Sequence, residues 1–465
     1  MGRAALGQTA APPSTATAVP SNTSAAAGGE PTLPDVSDPL LAPAPPPQHV
    51  LQSWQQALTL VRTDSASYHN ARLAIEQAQA AARIALAPSL PQLRGTAILT
   101  HHLLEGQLDV PATAGPPPTP AFTQAIPNPS TSFQAALALT VPLFHPKDWY
   151  DHGTAKDNIE ATRLTSRDAE RLIVATVANA IVAVVTNERL AEVSRSSLKA
   201  ALSTLDLTKR RAALGAATAL DVLRAEQDSS LSRSDVVTAT ERLIEAREAL
   251  GTSLGSAEAW GVTPDIHIDA LSADAQNNCK TETDLLARSD VRAATASVGV
   301  ADRGVKSVDY AFLPTVDATS QLTYYDPNSA INNRNLTWTI GGLLTWQIYD
   351  GSLRYGQQDA ARAQAGLARE QLRETKRRAS LEVTQALRAV QVAEANLTVS
   401  SRTREIAAET ARLARISYMN GSGTSFDLVN TAQQLRAAEI DLAVKEFEVL
   451  RSKIAALLAM STCSV

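Results

Sequence analysis

Two very long helical stretches constrain this chain more than any other feature of its sequence. Between about Asp151 and Leu214 there is no proline, and no glycine after Gly153. Apolar residues recur there at spacings of three and four, apart from one wider gap, near a coiled-coil rhythm. A second long stretch covers 351–418. At 1.5 Å per residue the two helices would be roughly 95 and 100 Å long. No compact domain accommodates such rods, so the sequence predicts an elongated molecule.

The ends of the two long helices carry the same short pattern. Leu207 to Gln227 can be laid over Leu413 to Gln433, at an offset of 206 residues (413 minus 207). The identical pairs are Leu207/Leu413, Gly215/Gly421, Thr218/Thr424, Asp221/Asp427 and Gln227/Gln433. In both copies a glycine ends one helix and another helix follows, which predicts two helical hairpins with tips at the glycines. A repeat of this size indicates a duplicated chain.

The rest of the chain divides around this repeat. Residues 1–47, rich in Ala, Pro, Ser and Thr, bury too little apolar surface and are predicted to be a disordered leader. The first repeat, 48–255, is predicted to hold a helix over 50–87, a strand hairpin over 90–144, the long helix over 151–214 and a helix over 218–254. A linker over 256–281 precedes the second repeat. That repeat, 282–460, is predicted to hold a helix over 282–312, a hairpin over 313–349, the long helix over 351–418 and a helix over 424–460. Residues 461–465 form a tail.

The four predicted strands each alternate apolar and polar residues, so each has one apolar face. A soluble hairpin on a core is the common explanation, but no other compact apolar layer is present for these strands to cover. The polar faces carry Thr, Gln and small residues rather than Lys and Glu, which suits a wet lumen. Aromatic residues lie near the strand ends, as in the interfacial girdle of a membrane barrel. The predicted lipid-facing residues are Leu137, Leu139, Val141, Leu336, Trp338, Ile340, Leu344 and Trp346.

A sheet that faces lipid cannot keep an open edge. Four strands are too few to close a barrel, since known barrels need about eight or more. The chain is therefore expected to oligomerise, each copy contributing four strands, although the sequence alone permits two, three or more copies.

Composition and isolated motifs exclude several classes of function. A net charge of −5 offers no basic field for nucleic acid. No metal or cofactor motif is present, no catalytic motif stands in its required context, and we expect no enzyme. Cys279 and Cys463 are either two unrelated thiols or one disulfide of an oxidising compartment. The sequence contains no run of 18 apolar residues, so no transmembrane helix is predicted. Residues 5–7 resemble the end of a signal-peptide cleavage site whose earlier regions are missing.

Taken together, residues 48–460 resemble the TolC-like outer-membrane efflux protein family. The resemblance rests on the duplication, on T-V-P-L-F at 140–144 and T-W-Q-I-Y at 345–349 closing the hairpins, and on the two tips. It implies an α+β membrane protein, a homotrimer with a 12-stranded β-barrel continued by a periplasmic α-helical barrel. It also implies a passive exit duct in the outer membrane of a Gram-negative-type cell, with outer-membrane lipid around the barrel. A periplasmic adaptor would join the duct to an inner-membrane pump of the RND, ABC or MFS type, and the cargo would be drugs, other small molecules or proteins.

The resemblance assigns adaptor docking to the tips. The matching residues are Gly215, Thr218, Asp221, Val222 and Leu223 in the first tip, and Tyr418, Gly421, Thr424, Asp427 and Leu428 in the second. The first tip matches less well, because Ala212 stands where Tyr418 does. Family members also place carboxylates at the entrance, where Asp427 is the candidate; Asn430 stands where some members carry a second carboxylate. A ring of three Asp427 side chains would attract cations.

Two alternatives remain open from the sequence. Asp221 and Asp427 each follow a helix start, where an aspartate stabilises the first turn. For Asp221, stabilisation of the helix start is the better explanation. For Asp427, stabilisation of the helix start and a role at the entrance are equally good explanations. The whole chain could also be a soluble periplasmic coiled-coil scaffold or adaptor whose hairpins form a small β-domain.

Overall fold

The structure is a computed structural model that describes residues 35–101, 103, 107–110, 121–125, 131–263, 279–281, 284–328 and 334–463. Seven α-helices lie in these ranges: α1 (Trp54–Asp64), α2 (Ala66–Leu86), α3 (Pro146–Ala213), α4 (Ala219–Leu254), α5 (Ser289–Tyr310), α6 (Leu353–Met419) and α7 (Ser425–Ala459). The strands there are β1 (His49–Leu51), β2 (Gln92–His101), β3 (Gln107–Val110), β4 (Phe122–Ala125), β5 (Thr131–Phe144), β6 (Trp260–Val262), β7 (Cys279–Thr281), β8 (Thr315–Asp326), β9 (Leu336–Thr345) and β10 (Ser461–Cys463).

The two long helices, α3 and α6, contain 68 and 67 residues and fold back through the tips onto α4 and α7. Helix α3 begins at Pro146, five residues before the predicted start, because proline is well suited to the first helical turn. The helix predicted over 50–87 is instead two helices, since Ser65 has an extended backbone between α1 and α2. The helix predicted over 282–312 begins only at Ser289.

Four strands form one antiparallel sheet in the order β2-β5-β8-β9. The central pairing of β5 with β8 joins the first repeat to the second, and each hairpin adds one outer strand. Within the described residues, β2 pairs only with β5 and β9 pairs only with β8. The sheet therefore ends in two strands of 10 residues each, and both have an unpaired edge.

The register aligns the apolar side chains of all four strands on one face. One row across the sheet is Leu93, Leu139, Ser320 and Ile340, and the next is Gly95, Leu137, Leu322 and Trp338. The opposite face carries rows such as Thr96, Ala136, Thr323 and Thr337. Because side chains alternate along a strand, this register gives the sheet one apolar and one largely polar face.

The main buried core lies where α1 and the middle of α3 meet α4 and α7. Its fully buried side chains include Leu51, Ile181, Val184, Leu250 and Leu254. Among the described residues, α3 is the one helix whose length and apolar composition would allow it to cross a membrane. A buried core helix meets the same criterion, and Val174, Val177 and Ile181 of this apolar part belong to the core.

The prediction of a disordered leader over 1–47 is wrong for residues 35–47, and residues 1–34 lie outside the described part of the chain. Asp38 forms an ion pair with Arg233 of α4 at 3.1 Å, and the Pro45 carbonyl accepts a hydrogen bond from Arg247 at 2.8 Å. Strand β1 then runs parallel to β6. Both polar and apolar contacts with distant residues hold this segment in place, and composition does not reveal them.

Two further short pairings fall where loops or tails were predicted. Strands β3 and β4 pair within the Pro-rich insert of the first hairpin. Strand β10, at 461–463 of the predicted tail, pairs with β7, at 279–281 of the predicted linker. The chain end is thus tied to the start of the second repeat.

Candidate functional site at the helix tips

The first tip is a tight turn that ends with a capped helix. Gly215 has φ +75°, in the region that favours glycine, and the Ala216 N–H donates to the Arg211 carbonyl at 2.8 Å. Thr218 caps α4: its side chain accepts a hydrogen bond from the Asp221 N–H at 3.3 Å, and the Asp221 carboxylate accepts one from the Thr218 N–H at 2.8 Å. Asp221 therefore has the first-turn role that the sequence suggested for it.

The second tip repeats this geometry. Gly421 has φ +78°, and the Ser422 N–H donates to the Ser417 carbonyl at 3.0 Å. Thr424 caps α7, with the Asp427 N–H donating to its hydroxyl at 3.1 Å and that hydroxyl 2.6 Å from the Asp427 carboxylate. The Asp427 side chain is exposed, whereas Asn430 is half-buried. Asp427 thus combines a first-turn contact with an open carboxylate, so the two explanations of this residue are compatible.

Contacts between the tips involve residues that the sequence analysis did not single out. Ser425 donates a hydrogen bond to the Asp221 carboxylate of the other tip. This bond and the one from the Thr218 N–H hold the pKa of Asp221 below its ordinary value of 3.8. Ser425 occupies the position of Ala219 in the first repeat, and this difference between otherwise similar tips is the signal that could have identified it.

Arg211 and Tyr418 form the second link between the tips. The Arg211 guanidinium lies 4.4 Å from the centre of the Tyr418 ring and donates to the Tyr418 carbonyl. The Tyr418 side chain is buried, and its hydroxyl has no hydrogen-bond partner among the described residues. The ring is therefore held by a cation–π contact and packing rather than by its hydroxyl.

A buried ion pair joins the two hairpins farther from the tips. Asp228 of α4 is only 3% exposed and accepts hydrogen bonds from Arg436 at 3.1 Å and Gln433 at 3.0 Å of α7. Gln433 is one of the residues shared between the repeats, but its partner was not predictable from spacing. The contacts of Asp228, Asp221 and Tyr418 therefore connect the two hairpins near their tips.

The other predicted tip residues fall into buried and exposed groups. Leu428 is buried between helices, whereas Val222 is half-buried and Leu223 is 61% exposed. Further exposed apolar side chains at the same end of the molecule are Leu214, Leu220 and Phe426. The tips therefore present apolar surface around the exposed Asp427 carboxylate.

The predicted lipid-facing residues lie at the opposite end of the long helices. Seven of the eight are exposed in the single chain: Leu137, Leu139, Leu336, Trp338, Ile340, Leu344 and Trp346. Val141 is half-buried, and Trp346 lies one residue beyond the end of β9. The indole N–H groups of Trp338 and Trp346 donate to Ser320 at 2.9 Å and to the Phe312 carbonyl at 3.2 Å.

Cys279 and Cys463 lie in the paired strands β7 and β10. Their backbones stand directly opposite one another in the antiparallel register. A disulfide between them remains a prediction. Among the described residues, no group of three or more His, Cys, Asp or Glu side chains is placed to bind a metal ion.

Comparisons with known proteins identify a family and several relatives of this chain. The profile of a family described as outer membrane efflux protein matches residues 59–256 and 283–458. The chain is 27% identical over 317 residues to nodulation protein T of Rhizobium leguminosarum bv. trifolii, a match that covers 63% of this chain and 65% of that relative. It is 24% identical over 379 residues to the pyoverdine export outer membrane protein OpmQ of Pseudomonas aeruginosa, covering 80% and 77% of the two chains.

Solved structures of outer membrane proteins share this fold. The outer membrane protein VceC of Vibrio cholerae has a TM-score of 0.70 at 18% identity, covering 87% of this chain and 95% of its own. A structure of CusC has a TM-score of 0.73 at 18% identity, covering 92% and 99%. The match to nodulation protein T covers just under two thirds of that relative.

Proposed function

Because the chain belongs to the outer membrane efflux protein family, we propose that it is a passive exit duct through the outer membrane of a Gram-negative-type cell. The observation that carries the proposal is the four-stranded sheet, whose apolar face is exposed and whose two edges are unpaired within the part of the chain that the structure describes. In water, an exposed apolar face of this kind is a liability. In a bilayer, the same face is the outer wall of a barrel.

The unpaired edges support a homotrimer. Lipid tolerates no open sheet edge, so β2 of one copy pairs with β9 of the next until the sheet closes. Three copies supply 12 strands, within the range of membrane barrels. The 10-residue edge strands have the length that a tilted spanning strand requires.

An exposed apolar stripe on α6 supports the same assembly below the barrel. Val392, Val399, Ile406 and Leu413 are all more than half exposed in the single chain. They recur every seven residues, the period of a left-handed coiled-coil seam. We infer that this stripe packs against a helix of the neighbouring copy, so that the hairpins of three copies form a periplasmic α-helical barrel.

The tips form the periplasmic end of this duct. Threefold repetition places three exposed Asp427 carboxylates around the entrance, where they favour cations. The exposed apolar side chains there, Leu214, Leu220, Leu223 and Phe426, support docking of a periplasmic adaptor, together with the tip residues Gly215, Thr218, Val222, Gly421 and Thr424. The pair Arg211–Tyr418 and the bond Ser425–Asp221 hold the two hairpins of one chain together at this end.

In this proposal, a pump of the RND, ABC or MFS type in the inner membrane supplies the energy for transport, as the family resemblance implies. Two relatives are named for small molecules: OpmQ is a pyoverdine export protein, and FusA of Burkholderia cepacia is a fusaric acid resistance protein. These names favour small molecules over secreted proteins as cargo.

The rival function, a soluble periplasmic scaffold, predicts that the apolar face of the sheet is covered by protein. Nothing among the described residues covers it, since Trp338 and Ile340 are 70% and 74% exposed. The exposed face therefore favours the duct.

Purified protein reconstituted in planar bilayers tests the proposal. We expect discrete conductance steps with cation selectivity, and Asp427→Asn should weaken that selectivity because it removes three charges from the entrance. Asp302→Asn, an exposed carboxylate on α5, is the matched control and should leave the selectivity unchanged. Absence of conductance from a protein that stays in solution without detergent would contradict the duct. Unchanged selectivity in Asp427→Asn would restrict Asp427 to its role in the first turn of α7.

A further inference from the structure

The segment of residues 35–47 occupies a groove on the first helical hairpin. The carboxylates of Asp35 and Asp38 lie 3.6 Å from Lys199 and 3.1 Å from Arg233. Between these ion pairs, Val36, Leu40 and Leu41 pack on Leu198, Leu202 and Val236. The backbone N–H of Leu40 and the Arg233 guanidinium hold the pKa of Asp38 below its ordinary value. An acidic and apolar peptide is thus recognised by a basic and apolar groove.

The second hairpin has an equivalent position, which the repeat defines. The helix caps Thr218 and Thr424 fix the offset at 206 residues (424 minus 218). The offset holds well away from the tips, because the ion pair Arg247–Glu188 at 2.9 Å has its counterpart in Lys453–Glu394 at 3.1 Å. Adding 206 to Leu198, Lys199, Arg233 and Val236 gives Arg404, Glu405, Glu439 and Leu442.

These four residues line an open groove of about 360 Å³ between α3, α6 and α7. We call it the acidic groove; Glu192 and Glu446 also line it, and its arginines are Arg189 and Arg404. The side chains of Glu405 and Glu439 are 58% and 29% exposed, and among the described residues their ion pairs are with Arg402 and Arg404. The two cations that hold the acidic segment on the first hairpin are therefore replaced by two carboxylates on the second.

We propose that the acidic groove is a docking site for an extended, basic and apolar segment of a partner protein. The first hairpin shows that this position on the fold binds a peptide, and the charge reversal dictates the chemistry of the occupant. Lysine or arginine side chains meet Glu405 and Glu439, and an aliphatic side chain covers the half-buried Leu442.

The chain's own segment does not fit the acidic groove. A second copy of residues 35–47 would bring Asp35 and Asp38 against Glu405 and Glu439, and like charges across an interface oppose binding. Residues 35–47 of a second copy are therefore excluded as the occupant, and the proposal does not depend on the duct or its cargo.

Synthetic peptides and the purified full-length protein test the proposal. One peptide has the sequence of residues 35–47, and the other carries D35K and D38K; both carry a photoreactive leucine analogue at Leu40. We expect the lysine peptide to label α6 and α7 between residues 401 and 446, saturably and about tenfold more than the native peptide. Mass spectrometry of the cross-linked fragments measures the labelling.

The variant Glu405→Lys/Glu439→Lys provides the reciprocal test. It copies the charges that the first hairpin already carries at these positions, so it should fold, and it should reverse the preference toward the native peptide. Glu374→Lys, an exposed change elsewhere on α6, is the matched control and should leave the preference unchanged. Equal labelling by the two peptides, labelling confined to the first hairpin, or a preference unaffected by the double variant would each overturn the proposal.

Discussion

At the residue scale, Asp221 and Asp427 show how a duplicated position acquires two roles. Both carboxylates stabilise the first turn of a helix capped by threonine. Asp221 is also bonded to Ser425, so its charge is used within the protein, whereas the Asp427 carboxylate stays exposed, as its proposed role at the entrance requires. The repeat makes the role in the first helical turn predictable from sequence. The different surroundings of the two carboxylates are not predictable, because they depend on the contact between Ser425 and Asp221, which lie 204 positions apart.

The two cysteines support a prediction at the same scale. Directly opposed residues of antiparallel strands have Cα atoms about 4.5 or 5.5 Å apart, and both distances lie within the disulfide range. Oxidation of the Cys279 and Cys463 thiols by a disulfide-bearing oxidoreductase would release two protons and transfer two electrons to that oxidant. The bond would tie β10 to β7 and stabilise the fold by about 2–4 kcal/mol.

Peptide mapping of the periplasm-exported protein measures this bond. We expect a Cys279–Cys463 cross-linked peptide without reductant, its loss with reductant, and a lower unfolding midpoint in Cys463→Ser. Complete alkylation of both thiols without reductant would show that they are unpaired.

At the element scale, the two junctions between strand and long helix use different chemistry. In the first repeat, His145 lies between β5 and α3, with its ring nitrogens 2.8 Å from Asp148 and 3.0 Å from Asp317 of β8. In the second repeat, the equivalent junction holds Arg354, which donates to Asp350 at 2.5 Å and to the Gln347 carbonyl at 2.6 Å. One junction can therefore lose its charge near neutral pH, and the other cannot.

This difference predicts a pH dependence. Burial lowers the pKa of His145, but the hydrogen bonds and charges of Asp148 and Asp317 together outweigh it, so the pKa lies above the ordinary 6.5. A raised pKa means that protonated His145 stabilises the folded state fully below pH 6.5, and that this stability is lost as pH rises through the elevated value. The difference in unfolding midpoint between the wild type and His145→Gln should therefore shrink between pH 6 and about pH 8.

Arg354→Gln is the control for this measurement, because arginine keeps its charge over the whole interval. Its effect on the midpoint should be constant. A His145→Gln effect that does not change with pH would contradict a protonated junction.

Elements with strong periodicity were predictable, and elements held by distant contacts were not. Helix α3 and strand β5 were predictable because each carries its periodic pattern of apolar residues within its own sequence. Residues 35–47 lack such a pattern, and Arg233 and Arg247, which lie about 200 positions away, bind them. The break at Ser65 was likewise missed, since no proline or glycine marks it.

At the scale of the whole molecule, the duplication explains why a single chain is incomplete. The repeats meet in the pairing of β5 with β8, which leaves β2 and β9 at opposite edges of a sheet with one apolar face. The apolar stripe on α6 is likewise exposed in a single chain and would be buried by a neighbouring copy. The sequence predicts the need for further copies, and we propose that three copies close the barrel.

Cysteine cross-linking of the two sheet edges tests this account most directly, in a chain that carries Cys279→Ser and Cys463→Ser. Thr96→Cys in β2 is combined in turn with Thr337→Cys, Thr339→Cys or Gly341→Cys, which lie on the same face of β9. Thr96→Cys with Ile340→Cys, on the opposite face, is the control. Oxidation in membranes should give, for at least one same-face pair, a ladder that stops at a covalent trimer. No cross-link for any same-face pair, or a ladder that continues beyond three copies, would contradict a closed trimeric barrel.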